Sequence, residues 1–138
     1  MILTNLFLGG LAFAPVALAQ EDEIDCGNAM TQAEMNICAS RDYQAADKEL
    51  NAVYKTTMTK MRKTDAELGE IEPNFVGAVD ALKKAQRAWI DYRDGQCELA
   101  GFEARGGSME PMLVSGCLAD LTKKRTAELK GLAEGPGN

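Results

Sequence analysis

The chain has 138 residues, with 15 Lys and Arg against 21 Asp and Glu, no His, and a net charge of −6. That length supports one domain with a single core. The negative balance excludes the basic footprint of a nucleic-acid binder and favours basic partners, and the lack of His removes the commonest metal ligand and general base.

Met1 to Ala19 carries no charged side chain, and Ala17-Leu18-Ala19 has the small-x-small pattern of a signal-peptidase site, which predicts a mature start near Gln20. The rival reading is a membrane anchor. The apolar run is near or below the ~20 residues of a spanning helix, and Pro15 and Gly9-Gly10 interrupt it, so no stable anchor is expected. The expected organisation is a signal peptide over 1–19, a helical domain over 20–134 and a disordered tail over 135–138. The expected location is periplasmic or secreted.

Thr31-Gln32-Ala33-Glu34 is a capping-box sequence. From there to about Glu67 no Gly or Pro intervenes, and Ala39, Tyr43, Ala46, Leu50, Val53, Thr57 and Met61 recur at helical spacing. Leu68 to Asn74, with Gly69 and Pro73, reads as a connector in which Asn74 caps the next helix. That helix spans about Phe75 to Glu103, with Val79, Leu82, Gln86, Trp89, Arg93 and Gln96/Cys97 on one stripe. After Arg105-Gly106-Gly107-Ser108, a third helix capped by Ser108 tolerates Pro111 in its first turn and presents Cys117, Leu118, Leu121, Arg125 and Leu129, ending near Gly131. No segment alternates with period two. The expected fold is all-α: three helices, the first two forming a long antiparallel hairpin of about 50 Å.

Cys26, Cys38, Cys97 and Cys117 are the only cysteines, and neither their spacing nor the His-free composition suits zinc. No metal or other cofactor is expected. Two disulfides fit an exported domain. In a hairpin turning near residue 71, Cys38 falls close to Cys97, which favours Cys38–Cys97 with Cys26–Cys117. Cys26–Cys38 with Cys97–Cys117 is the alternative.

Several stretches together carry a resemblance. They are Thr31-Gln32-Ala33-Glu34-Met35-Asn36 with Cys38, Leu50-Asn51 with Tyr54, Gln86-Arg87-Ala88-Trp89-Ile90-Asp91-Tyr92-Arg93-Asp94 with Cys97, and Gly106-Gly107-Ser108 with Cys117. In this combination the chain resembles the LprI-type lysozyme-inhibitor domain over nearly all of its mature length. The resemblance implies an exported protein that binds and inhibits a lysozyme or related peptidoglycan hydrolase. The other reading is a periplasmic interaction or scaffold protein of the cell envelope with no enzyme target.

The motif residues have physical readings of their own. Arg87 and Asp91 are spaced to pair on the helix surface. Trp89 is expected to anchor the core. Asn51, Tyr54, Gln86, Trp89 and Arg93 form an expected structural polar cluster, because buried Gln86 and Arg93 need partners. No catalytic residue is expected: Ser40, Ser108 and Ser115 have no base at a recognisable spacing, and the cysteines are used. Gly101 to Glu110 is the one loop suited to blocking a carboxylate-lined cleft. Arg105 supplies a guanidinium fork, Gly106 and Gly107 permit close approach, and Ser108 offers a hydroxyl. The plainer reading of the same loop is a helix-linking turn and cap.

Overall fold

The computed structural model describes residues 24–135. The expected signal peptide and the tail beyond Gly135 lie outside the described residues.

Three helices follow one another: α1 (Gln32–Ile71), α2 (Ala78–Gly101) and α3 (Glu110–Glu134), joined by 3-10 turns at Pro73–Phe75 and Phe102–Ala104. The capping box forms as its sequence predicts. The Thr31 hydroxyl accepts from the Glu34 amide at 3.2 Å, and the Glu34 carboxylate accepts from the Thr31 and Met30 amides, each at 2.9 Å. Those backbone donors, Thr31 first, hold the Glu34 carboxyl below its ordinary pKa.

Cross-helix bonds fix the directions. Asp42 and Glu49 on α1 meet Lys123 and Lys130 on α3, so these two helices run parallel. Asp47 meets Arg93 while Asp65, further along α1, meets Ala78 at the start of α2, so α2 runs antiparallel to both. The first two helices do form an antiparallel hairpin, but an uneven one: 40 residues of α1, about 60 Å, face 24 of α2, about 36 Å. Helix α3 packs along α1 more extensively than α2 does.

The helix ends differ from the sequence reading, with α2 stopping at Gly101 rather than Glu103 and α3 running past Gly131 to Glu134, and three further differences have a local cause. Helix α1 continues through Gly69 to Ile71 rather than stopping near Glu67. Val76 folds back onto Gly69 so closely that a Cβ there would stand 3.2 Å from the valine Cγ2, so the glycine serves close packing. Asn74 does not cap α2. The cap is Gly77, and the Asp65 carboxylate of α1 accepts from the Gly77, Ala78 and Val79 amides at 2.9, 2.7 and 3.0 Å. Ser108 does not cap α3, which begins at Glu110 after Met109.

The core is thin and partly polar. Leu50, Met58, Leu82 and Leu129 form its apolar cluster, with Val53, Tyr54, Met61, Val79 and Trp89 packed around it. The largest fully buried side chains are Leu129, Thr57, Thr122 and Cys97. Thr57 is tolerable there because its hydroxyl donates toward the Val53 and Leu129 carbonyls, the second across to α3 at 3.0 Å. On α3 the buried face is Ala119, Thr122, Thr126 and Leu129, so Leu118 and Leu121 are only half-buried. Trp89 packs against the apolar cluster as expected but is only half-buried.

Disulfides join Cys26 to Cys38 and Cys97 to Cys117, with Cα separations of 5.5 and 5.3 Å. The favoured long-range pairing is therefore wrong and the alternative is right. The expectation placed α1 against α2 at the end far from the turn. There α3 lies against both, so Cys117 is the neighbour of the buried Cys97, and the chain before α1 folds back onto Cys38. Two disulfides fit an oxidising, extracytoplasmic setting. No helix among the described residues is long and apolar enough to cross a membrane.

Candidate functional site

Arg93 organises the middle of the bundle. Its side chain is 8% exposed, so its charge requires partners. Nε donates to Asp94 at 2.8 Å, and Nη1 reaches Thr122 Oγ1 at 3.4 Å and Asp47 at 3.5 Å. The guanidinium also lies 5.0 Å from the Trp89 ring centroid and 5.5 Å from that of Tyr43. One arginine thus ties α2 to both other helices.

Around it, the expected polar cluster is assembled in part. Gln86 is buried and accepts from Arg125 Nε at 3.1 Å, while Arg125 also pairs with Glu128 at 2.8 Å and approaches Trp89. Asn51 donates to Asp47 at 3.0 Å. Asn51 and Tyr54 do not touch Arg93. They line, with Gln86, a shallow depression of about 340 Å³ between α1 and α2. Arg87 and Asp91 do not pair, and both are exposed.

The loop from Gly101 to Glu110 is held at both ends. Buried Gly101 packs so tightly on α3 that a Cβ there would meet Val114 Cγ2 at 2.7 Å. Asn36 of α1 donates to the Ser108 carbonyl at 2.9 Å. Within the loop, Gly106 takes φ +77°, a conformation suited to glycine, and its amide donates to Glu110 at 2.7 Å. The Glu110 carboxylate also accepts from Arg105 Nη1 at 2.8 Å, while the guanidinium stacks 4.5 Å from the Phe102 ring centroid. The Gly106 amide, and less strongly Arg105, hold the Glu110 carboxyl below its ordinary pKa against the opposing effect of burial. This leaves Arg105 Nε and Nη2 and the Ser108 hydroxyl without a partner among the described residues.

Loop and cluster meet in one place. A depression of about 330 Å³ is lined by Arg93 and Arg105, the carboxylates Asp94, Glu98 and Glu110, and Tyr43. Its chemistry is that of guanidinium forks already steered by carboxylates, which suits recognition of charged partner groups. No group of His, Cys, Asp and Glu among the described residues could hold a metal ion. Sequence reasoning missed Glu110, Phe102 and Asp94 as partners. An acid five residues after Arg105 and an acid directly after Arg93 were the available signals.

The fold and site define a disulfide-stapled helical domain with a braced, charged loop at one end. The family model described as lysozyme inhibitor LprI matches residues 25–129, and the chain belongs to that family. It is 66% identical over 122 residues to the uncharacterized protein R02472 of Rhizobium meliloti (strain 1021), covering 88% of each chain. It is 33% identical over 70 residues to the uncharacterized protein YecT of Escherichia coli (strain K12), covering 45% of this chain and 37% of that one. No solved structure matches it.

Proposed function

We propose that this protein, exported to the periplasm or beyond, binds and inhibits a lysozyme or related peptidoglycan hydrolase with the loop end of its bundle. It acts as a binder rather than a catalyst. Family membership supports the reading. The geometric observation that carries it is Arg105, oriented by Glu110 and Phe102 yet more than half exposed, with two nitrogens unclaimed. A guanidinium fixed this way loses little freedom on engaging a carboxylate. A hydrolase cleft that works with two carboxylates offers such a target, and the net charge of −6 speeds encounter with a basic enzyme.

The test is protection of bacterial cell-wall suspensions from lysis by c-type, g-type and i-type lysozymes. The oxidised protein should protect against one class. Arg105→Ala should weaken that protection by tenfold or more, roughly the value of a charged hydrogen bond, with an unchanged helical spectrum. Undiminished protection by the variant would remove the loop from the interface.

A second reading, an envelope interaction protein without an enzyme target, is favoured by the opposite end. There Ile71, Phe75 and Val76 are each at least half exposed around the hairpin turn. Protection against none of the three lysozymes, with envelope proteins captured through that turn, would favour it.

A further inference from the structure

An acidic protein carries one face on which the cations are unpaired. Lys48, Lys55 and Arg62 on α1 and Lys83 and Arg87 on α2 are exposed, and none of them makes an ion pair among the described residues. They flank three depressions of about 340, 540 and 370 Å³ that share Asn51, Tyr54, Lys55 and Lys83 and so form one continuous groove. The only carboxylate lining that groove is Asp47, which is already engaged by Arg93 and Asn51. Elsewhere the cations Arg93, Arg105, Lys123, Arg125 and Lys130 do have carboxylate partners. Arg41, Lys60, Lys84 and Lys124 make no ion pair among the described residues either, but five of the nine unpaired cations gather along this one groove.

We infer that the groove binds an extended β-linked glycan that carries one carboxylate per disaccharide. Lys48, Lys55 and Arg62 are spaced by seven residues each, which places one cation every ~10.5 Å along a helix. An extended β-linked glycan repeats its disaccharide at nearly this interval, so such a strand meets the cations in register. A polyphosphate or nucleic acid, with charge at every unit, is far denser than five cations along about 21 Å of helix can match. Between the cations the groove presents the Tyr54 ring and Ile90 as an apolar floor for sugar faces. Asn51 Oδ1 and the Tyr54 hydroxyl, both without a partner among the described residues, can bond ring hydroxyls. Peptidoglycan strands freed of their stem peptides, which exposes the lactyl carboxylate of each disaccharide, and uronic-acid polysaccharides both have this chemistry. The groove adjoins the loop depression at Tyr43, but none of its five cations lines that depression, and Arg87 lies about 20 Å along α2 from Gly101, so this inference does not depend on the inhibitor reading.

The experiment is calorimetric titration of the oxidised protein at low and moderate salt with four probes. These are stem-trimmed peptidoglycan strands, a hyaluronan octasaccharide, a neutral chitin oligomer of equal length and a polyphosphate of equal length. Binding of either carboxylated glycan, weakened by salt and exceeding both comparators, supports the inference, and the tighter of the two names the source. The Lys55→Glu/Arg87→Glu double variant should bind at least about tenfold more weakly, whereas Lys55→Arg/Arg87→Lys should stay close to the parent. Neither side chain has an intramolecular partner, so both variants should keep the parent melting temperature. Failure to bind either carboxylated glycan, equal binding of the chitin oligomer, equal or tighter binding of polyphosphate, or indifference to the double reversal would each overturn it. Lysozyme protection measured on the same variants separates this outcome from that of the inhibitor reading.

Discussion

The two ends of the bundle are held by different means. At the loop end lie both disulfides, the Gly101–Glu110 loop is braced by Asn36 and Glu110, and Lys123 pairs with Asp42 across α1 and α3. At the hairpin tip there is no covalent link among the described residues. Asp65 holds the start of α2, a small apolar cluster of Met58, Leu82 and Leu129 lies below it, and Ile71, Phe75 and Val76 stand exposed. The end that carries the candidate loop is the one made rigid. The tip sits where apolar packing runs out, because α3 is shorter than α1. A thin core cannot stabilise both ends by burial alone, and the covalent links brace the end that lies beyond the apolar cluster.

The sharpest way to break this contrast is to remove the links. Loops of 12 and 20 residues close through the two disulfides, and each should contribute about 3 kcal/mol. Reduction should therefore lower thermal stability by many degrees. It should raise amide exchange first in the loop and around Cys38 and Cys117, while the first turn of α2 keeps its protection. Uniform loss of protection along the chain would show that the two ends are not separate units.

Gly101→Ala comes next. The new Cβ meets Val114 Cγ2 at 2.7 Å on a rigid helix. Overpacking costs about 1–3 kcal/mol, and the helix regains at most about 1 kcal/mol in propensity, so a net loss is expected in chemical denaturation. Gly95→Ala, in the same helix with nothing within 4 Å of the new atom, should instead stabilise by about 0.5–1 kcal/mol. Equal effects at the two positions would mean that the α2–α3 contact yields easily. Thr57→Val is smaller again. It keeps the volume but removes the hydroxyl bond to the Leu129 carbonyl, and about 1 kcal/mol should be lost.

Local patterns were legible, and long-range ones were not. The apolar stripe of α1 reads directly in Ala46, Leu50 and Thr57, and the capping box is four consecutive residues. Buried Gln86 and Arg93 were placed on the correct face of α2, because helical spacing alone decides that. The disulfide pairing was misjudged because it depends on where α3 lies, which no local signal records. Trp89 packs against the core as its size suggests, but only half-buried, with the Arg93 and Arg125 guanidinium groups over its ring, which helical spacing alone does not reveal. Asn74 and Ser108 have good capping side chains, yet neither caps a helix. Asp65, 12 residues before Gly77, holds the start of α2, and α3 begins without a side-chain cap while Glu110 reaches back to the loop amide of Gly106. Of the candidate loop, Arg105 was legible as chemistry, but the bracing that orients it was not.

The smallest global effect belongs to the tip, and pH reads it. The Gly77, Val79 and Ala78 amides, in that order, lower the Asp65 pKa in the folded chain. A carboxyl with a lowered folded pKa favours the folded tip wherever it is ionised. Its contribution is fully present above the ordinary aspartate value of about 3.9 and fades as pH falls through the lower folded value. The backbone amides of Gly77, Ala78 and Val79 should therefore stay fixed in NMR from pH 7 to about 5. Below the ordinary value they should move together on one titration curve, while the disulfide end responds on its own curves through Glu34 and Glu110, which are also lowered. Asp65→Asn should abolish the shared curve and leave these three amides exchanging faster at neutral pH. The loop end should be unchanged, because nothing at the tip is covalently tied to it. Three independent curves in the parent, or normal exchange in the variant, would mean that the carboxylate is not what holds α2 to α1 at this end.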